Sequence, residues 1–328
     1  MVEYRLIDEN PAPDSVRRMT FAMFMPDGRA AAVPEPDGPR LPSGPVLPGE
    51  HWLLDTALRI PLEQAGFRRQ RTHPYAMTGD HLYVWVEGDR YRGTRAHRSV
   101  ELLVDEPEPL AATLHDGQSR ALRDAARSYA EQTDDDWFAD NERLLTPAYL
   151  RASTAEGGSG FGGTPAQWRF KRENVLAGME RSGTFLDLGC ANGLLMQSVH
   201  EWAAERGLSV EPYGVDLAAD LVAEARRRLP RWADRIWVGN ALTWQHPAGR
   251  RFRYVHLLLD LVPGGRRREL IDHAATLVEP GGRLLVSHYL SEGSTEDPVV
   301  GQLGVLGITA DGVDEAGQTA WLDIGLDA

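Results

Sequence analysis

The stretch FLDLGCANG, Phe185–Gly193, runs from a short apolar segment through an acid into a turn of small residues. A brief apolar run that ends at a turn reads as a buried strand. Gly189 and Ala191 let the backbone come close to a bound molecule, and Gly193 eases entry into a helix. A turn of this kind can hold a dinucleotide, a nucleotide phosphate, or no ligand.

The surrounding pattern narrows the choice. From Gly183 onward, strand-like segments at Thr184–Leu188, Glu211–Val215, Arg235–Val238, Tyr254–Leu259 and Arg283–His288 alternate with helical ones. The helices are expected at about Leu194–Arg206, Ala218–Leu229 and Arg266–Val278, with Gly207, Pro230 and Pro280-Gly281-Gly282 as their stops. Alternation of this sort predicts a parallel sheet covered on both faces. Ligands of such sheets bind beyond the carboxyl ends of the strands. The second strand ends in Gly214-Val215-Asp216, and an acid there can accept hydrogen bonds from both hydroxyls of a ribose. A nucleoside ligand is the expectation.

The spacing separates a dinucleotide from a single nucleoside. In G-x-G-x-x-G the pyrophosphate meets a helix N-terminus. Here Gly189, Ala191 and Gly193 are each two apart, and Leu194 stands where the third glycine belongs. Asp187 precedes the turn; it repels a pyrophosphate and attracts an amino group or a sulfonium. With GVDL (Gly214–Leu217), GNAL (Gly239–Leu242), LVEPGGRLLVSHY (Leu277–Tyr289) and GITADGVDEAGQTAWLDI (Gly307–Ile324) following in order, the chain from about Gly160 resembles the class I S-adenosylmethionine-dependent methyltransferases.

The resemblance implies a Rossmann-like seven-stranded sheet and S-adenosylmethionine as cofactor. It implies that Asp187, or backbone near it, faces the methionine end, and that Gly189, Cys190, Ala191 and Gly193 form the cradle. Asp216 would bind the ribose, Leu217 would pack on adenine, and Asn240 and Ala241 would meet its edge. Asn240 replaces an acid common in that family, and Phe252-Arg253-Tyr254 departs from its fourth-strand pattern. The glycine-rich GSGFGGTPAQWRFKREN (Gly158–Asn174) reads as a linker or as a loop that folds over a ligand. By resemblance, Phe161, Trp168 and Lys171 are lid candidates, while Trp168 reads equally as a core anchor. Methyl transfer needs in-line geometry and, for some acceptors, a base. His288, Asp260 and Tyr289, at strand ends, are candidates, although each also reads as a hydrogen-bonded structural residue. Cys190 reads as a small residue filling a tight turn.

The first hundred residues look like strands and turns around one helix. A hairpin is expected from Met19–Met25, Pro26-Asp27-Gly28 and Arg29–Val33, with further strands at Arg69–Ala76, His81–Val86 and Val100–Val104. A helix is expected over His51–Ala65 with Gly66 as its C-cap. LPSGPVLPGEHWLLDTALRIPLEQAGF (Leu41–Phe67) resembles the signature of Nudix hydrolases. Gly44, Glu50, Arg59, Glu63 and Gly66-Phe67 match it if one extra residue is allowed between Glu50 and Arg59. Ile60 and Gln64 stand where two of its metal-binding acids belong, and Pro61 distorts the helix. The resemblance implies an α+β Nudix-like domain over residues 1–130 without pyrophosphohydrolase activity and without a bound metal. A helical connector and lid loop over 131–165 and a methyltransferase domain over 166–328 would complete an α/β protein.

The totals set bounds. The 328 residues carry a formal net charge of −13, 42% hydrophobic and 25% charged residues, and one cysteine. Such a chain repels nucleic acid and anionic membranes unless it has a local basic patch. The arginine clusters at Arg226–Arg228, Arg250–Arg253 and Arg266–Arg268 read as solvated helix faces. A single cysteine suits a reducing compartment, and neither a signal peptide nor a bilayer-length apolar run is evident. The expectation is a cytoplasmic enzyme that methylates a small molecule, anionic or nucleotide-like, with no nucleic-acid or membrane partner and possible homodimerisation. An RNA or protein methyltransferase and a non-catalytic S-adenosylmethionine-binding module are the alternatives.

Overall fold

The computed structural model describes residues 4–7, 11–25, 27–90, 101–289 and 298–325. Its chain divides into two compact units, Met1–Leu144 and Leu145–Ala328, with the division inside the helix Asp134–Arg151. The segment 131–165 thus contributes to both units. No helix among the described residues is long and apolar enough to cross a membrane.

The first unit is a mixed sheet of β1 (Arg5–Leu6), β2 (Arg18–Phe24), β3 (Ala30–Ala32), β4 (Ser43–Pro45), β5 (Phe67–Thr78), β6 (His81–Arg90) and β7 (Leu103–Asp105). Their order is β1-β5-β6-β2-β3-β7, with β4 also on β2. Strands β2 and β3 form the expected hairpin, pairing Met23 with Ala31 and Phe24 with Ala30. Pro26 of its turn, and Val100 of the strand expected at Val100–Val104, lie outside the described residues. Nearly every residue of β2 is buried, which suits a central strand covered on both faces. Helices α1 (Ala57–Ala65), α2 (Pro107–Thr113), α3 (Asp116–Ala130) and α4 (Asp134–Arg151) complete the first unit or, for α4, span the division. Leu110, Ala111, Ala121, Leu122 and Ala125 of α2 and α3 pack on Phe24, Tyr75 and Trp85 of the sheet. Asp140 of α4 is buried and receives Arg71, His73 and Arg143 at 2.9–3.0 Å, tying α4 to β5. The geometry balances charges that would be costly to bury alone.

The helix expected over His51–Ala65 is divided. Trp52–Thr56 forms one π-helical turn, in which the Ala57 amide donates to the Trp52 carbonyl, before α1 begins. A π turn absorbs one additional residue, and it falls between Glu50 and Arg59. Arg59 reaches Glu50 across it, with Nε at 2.6 Å and NH2 at 2.7 Å from its two oxygens. Gly66 ends the helix at φ 58°, ψ 29°, the left-handed geometry that glycine adopts at little cost.

The second unit holds β8 (Gly183–Leu188), β9 (Val210–Asp216), β10 (Ile236–Val238), β11 (Phe252–Leu258), β12 (Val278–Ser287), β13 (Gly312–Val313) and β14 (Thr319–Asp323). The order is β10-β9-β8-β11-β12-β14-β13, parallel through β12 and antiparallel at β14 and β13. Between them come α5 (Pro165–Arg172), α6 (Leu194–Glu205), α7 (Ala219–Arg228), α8 (Arg267–Thr276) and α9 (Val299–Val305), α5 preceding β8. The chain moves outward from β8 to β10 and then returns to β11, so strand order reverses between β8 and β11. In open sheets of this kind ligands bind beyond the strands' carboxyl ends at such a reversal. Pro280-Gly281-Gly282, expected to stop a helix, instead lies within β12. It produces the register shift against β11 between Phe252 and Tyr254. A Cβ on Gly282 would come 2.5 Å from the Arg253 carbonyl oxygen, so only glycine admits that approach.

Hydrogen bonds from Arg59, Thr56 and the Leu47 amide hold the Glu50 carboxyl down from its ordinary 4.5 to about 2. A depressed carboxyl stabilises the fold above its unfolded value and loses that contribution as pH falls through the folded value. Glu50→Gln is therefore expected to be less stable than the parent at pH 7 by about 1–2 kcal/mol. Chemical denaturation should show the gap closing between pH 4.5 and about 2; a gap independent of pH would reject the ion pair as its source.

Candidate functional site

The turn after β8 satisfies its own amides. Gly189 and Cys190 donate to the Val215 carbonyl at 2.8 and 3.0 Å, Ala191 donates to Asp216 Oδ2 at 2.8 Å, and Gly193 donates to the Cys190 carbonyl at 2.8 Å. A phosphate-binding turn needs such amides pointed at the anion. Here those of Gly189, Cys190, Ala191 and Gly193 are already spent. Gly189 and Gly193 have φ of 78° and 76°, and Ala191 also has positive φ, 46°. A Cβ on Gly189 would come 2.4 Å from Leu261 Cδ2. The turn is thus pressed between β9 and the loop after β11. The Cys190 side chain is buried with Met196, Val222, Ala225 and Leu229. Burial, then Asp216 and Asp187, push its thiol well up, which removes it from thiolate chemistry. Its backbone alone belongs to the turn.

Asp216, at the end of β9, is half-buried. Besides the Ala191 amide it accepts the Ala218 amide on Oδ1 at 3.0 Å. Leu217 beside it is also half-buried. After β10, the Asn240 side-chain oxygen accepts the Leu242 amide at 2.9 Å, which bends Asn240-Ala241 into a tight turn. The side-chain amide Nδ2 makes none of the hydrogen bonds seen among the described residues.

Asp187 does not face open space. Its carboxylate is buried and accepts His256 Nδ1–H at 2.8 Å. His256 Nε2 lies 3.1 Å from Ser287 Oγ, and Ser287 lies 2.8 Å from Thr319 Oγ1. With an ionised Asp187, the donors run from Thr319 through Ser287 to His256 and on to the carboxylate. This chain crosses β14, β12, β11 and β8: Thr319 with Ser287 and His256 with Asp187 are register partners, whereas His256 reaches Ser287 diagonally, two residues beyond its own partner Leu285. Sequence reading passed over His256; its signal was a lone histidine in an otherwise apolar strand.

The glycine-rich segment is fastened to the turn by Asn192. Its Oδ1 accepts Ser159 Oγ at 2.6 Å and the Leu194 amide at 3.1 Å, and its Nδ2 donates to the Ala155 carbonyl at 2.8 Å. Arg228 donates to the Asn192 carbonyl at 2.6 Å. A Cβ on Gly158 would meet Asn192 Nδ2 at 2.5 Å, and one on Gly160 would meet the Tyr149 hydroxyl at 2.3 Å. These glycines therefore permit close packing rather than looseness. Trp168 is buried against Leu195 and Val199, and its Nε1 donates to Ser198 at 3.0 Å, so it anchors α5. Phe161 packs edge-on against it, with ring centroids 5.7 Å apart. Lys171 is half-buried. The neighbouring Arg172 enters the ring cluster, its guanidinium 3.7 Å from the centroid of Tyr289 and 5.2 Å from that of Trp168.

Burial, reinforced by Asp260 and then Asp216, pushes the Tyr149 phenol up to about 12. Burial likewise pushes Tyr289 up to about 12, and Arg172 opposes that shift. At neutral pH both phenols keep their protons and can donate but not act as bases. Asp260 is exposed in the short helical turn after β11. His288 is half-buried just beyond β12, its amide donating to the Gln318 carbonyl at 2.8 Å. Of the three candidate bases, Tyr289 is thereby set aside as one at neutral pH.

Residues 185–282 match the family model described as a methyltransferase domain. No curated protein matches the chain. Among solved structures, the chain is similar to a SAM-dependent methyltransferase from Geobacter sulfurreducens in complex with S-adenosyl-L-homocysteine. Identity is 21%, over 44% of this chain and 54% of that one, with a TM-score of 0.32. It is also similar to a SAM-dependent methyltransferase from Thiobacillus denitrificans in complex with S-adenosyl-L-homocysteine (22%, 38% and 48%, TM-score 0.29). A third is the sugar N-methyltransferase KedS8 from a Streptoalloteichus species (20%, 42% and 53%, TM-score 0.32). The chain spans about half the length of these structures. The matched segment carries the turn, Asp216, Asn240 and Asp260. That segment is similar to a methyltransferase domain.

Asn192→Ala removes every side-chain bond that holds residues 155–159 to the turn. The variant is expected to lose about 1–3 kcal/mol, and brief digestion with a broad-specificity protease should cut residues 152–164 faster than in the parent. Equal cutting rates would show that another contact holds the loop.

Proposed function

We propose that this protein transfers a methyl group from S-adenosylmethionine to a small-molecule acceptor. The observation that carries the reading is the turn that spends its amides on Val215 and Asp216. It offers no nest to a phosphate, yet it lies at the strand-order reversal with two acids beside it. A cationic, ribose-bearing cofactor suits that setting. When bound, S-adenosylmethionine supplies an already activated methyl group on a sulfonium.

In this reading Gly189, Cys190, Ala191 and Gly193 contribute backbone to the cradle. Asp216 accepts the ribose hydroxyls, Leu217 packs on the adenine, and Asn240 with Ala241 meets its edge. Asp187 acts through its charge, held in place by His256. Phe161, Arg172 and Tyr149 cover the site, while Trp168 fixes α5 and Lys171 stands at the lid's margin. Asp260 or His288 takes the acceptor's proton where the acceptor has one to lose. Tyr289, held protonated, orients by donation. Calorimetry should detect S-adenosyl-L-homocysteine binding to the full chain, and Asp216→Ala should weaken it by about 10- to 100-fold. Unchanged affinity in the variant would refute the ribose role, and no binding to the parent would remove the central claim.

For the first unit we propose a Nudix-like fold that has lost hydrolysis and serves recognition. The bidentate Glu50–Arg59 pair and the glycine-capped α1 support it. Among the described residues no group of three metal-ligating side chains gathers. Gln64, where an acid would be needed, instead donates to the Ser43 carbonyl at 2.9 Å and accepts Arg40 at 2.7 Å. Incubation with ADP-ribose and Mg²⁺ should release no AMP; metal-dependent release would overturn this reading.

A further inference from the structure

The first unit contains a cavity of about 590 Å³ between its sheet and the start of α3. That is within the size range of small-molecule sites. Its lining carries two arginines, Arg18 and Arg40, and no carboxylate. In a chain of net charge −13, this is a local reversal of sign.

The donors around it are unequally used. His81 Nε2 lies 2.9 Å from Thr20 Oγ1, which donates to Ser43 Oγ at 3.0 Å, which donates to the Met19 carbonyl at 3.0 Å. Because that chain ends on a carbonyl, its direction is set, and His81 must donate from Nε2. Its Nδ1 is left as an acceptor suited to a ligand hydroxyl. Burial first, and then Arg18, lower the His81 pKa, while Asp80 opposes the shift more weakly. The imidazole is therefore neutral at physiological pH.

The charged donors are less committed. Arg40 meets Gln64 through NH1 and pairs with Glu35 through Nε. Arg18 is exposed and forms no ion pair among the described residues. At the start of α3, a helix of 15 residues, no side chain caps the N-terminus, and Gly117 and Gln118 line the cavity. Their amides have no acceptor among the described residues. The Gln118 side chain accepts the Leu41 amide through Oε1 at 3.0 Å, which leaves its own amide hydrogens to donate. Asp116 shares that first turn but is exposed and does not line the cavity. Guanidinium groups with uncapped helix amides recognise a phosphate well. The volume is too large for a bare ion, and the stacked His81 and Tyr83 rings, 4.6 Å apart, offer a wall for an organic body.

We propose that this cavity is a metal-independent binding site for a sugar phosphate, with Arg18, Arg40 and the first amides of α3 on the phosphate and His81 on a sugar hydroxyl. The site deepens the recognition role assigned to the first unit, but it does not depend on the methyltransferase reading.

The test is calorimetric titration of the full chain with ribose 5-phosphate, in EDTA and without S-adenosylmethionine. Ribose 5-phosphate should bind saturably, inorganic phosphate should compete with it, and ribose should give no heat. Arg18→Gln should weaken binding at least about tenfold, with Arg18→Lys recovering part of the loss. Arg18 is exposed, so both variants should melt with the parent; if Arg18→Gln does not, Arg18→Lys decides by its affinity relative to the parent. No binding of ribose 5-phosphate, binding unchanged in both Arg18 variants, or binding that appears only with Mg²⁺ would overturn the proposal. Because S-adenosyl-L-homocysteine binding is measured separately, failure here leaves the methyltransferase reading intact.

Discussion

The second unit is organised by how one turn disposes of its amides. Gly189 and Cys190 both donate to Val215, and Ala191 donates to Asp216. These bonds tie the end of β8 to the end of β9 and place an acid directly beneath the turn. An anion there would find its donors occupied and a carboxylate close by; a cation with a hydroxylated sugar meets the opposite conditions. Ala191 accepts an uncommon positive φ to make its bond, a strain that the surrounding contacts must sustain.

Much of this was readable in the sequence because the cues were local. A buried parallel strand is a short apolar run, and Asp187, the glycines and Asp216 fall at fixed places along such runs. The five strands from Gly183 and the three helices between them were expected within a residue or two, except where Pro280-Gly281-Gly282 entered a strand. Proline and glycine ordinarily punctuate structure. Here the backbone crowding at Gly282 makes a glycine necessary inside β12.

What was missed depends on long-range contact. His256 is 69 residues from Asp187, and Ser159 is 33 from Asn192. No periodicity links such pairs. Asn192 has no assigned role in the sequence, but its side-chain amide meets four partners at once and makes the glycine-rich loop a fastened one. Arg172 was passed over for Lys171 because sequence supplies the charge but not the helix face. A planar guanidinium that stacks on aromatic rings suits that cluster better than an ammonium would. The single residue inserted between Glu50 and Arg59 looked like a defect in a motif. The chain takes one π-helical turn there, and Glu50 and Arg59 pair across it.

The two units make opposite uses of the same groups. In the second, backbone amides of the turn are consumed by a carbonyl and a carboxylate. In the first, side-chain hydroxyls and an imidazole are consumed in a chain that ends on a carbonyl, while arginines and helix amides keep donors available. Net charge describes neither place. A chain of −13 disfavours polyanions as a whole, but a cavity without a lining acid, bordered by two guanidinium groups, can still select one small anion at short range, where local geometry outweighs a screened distant field. The sign of a site is therefore set by which donors and acceptors the fold has already satisfied.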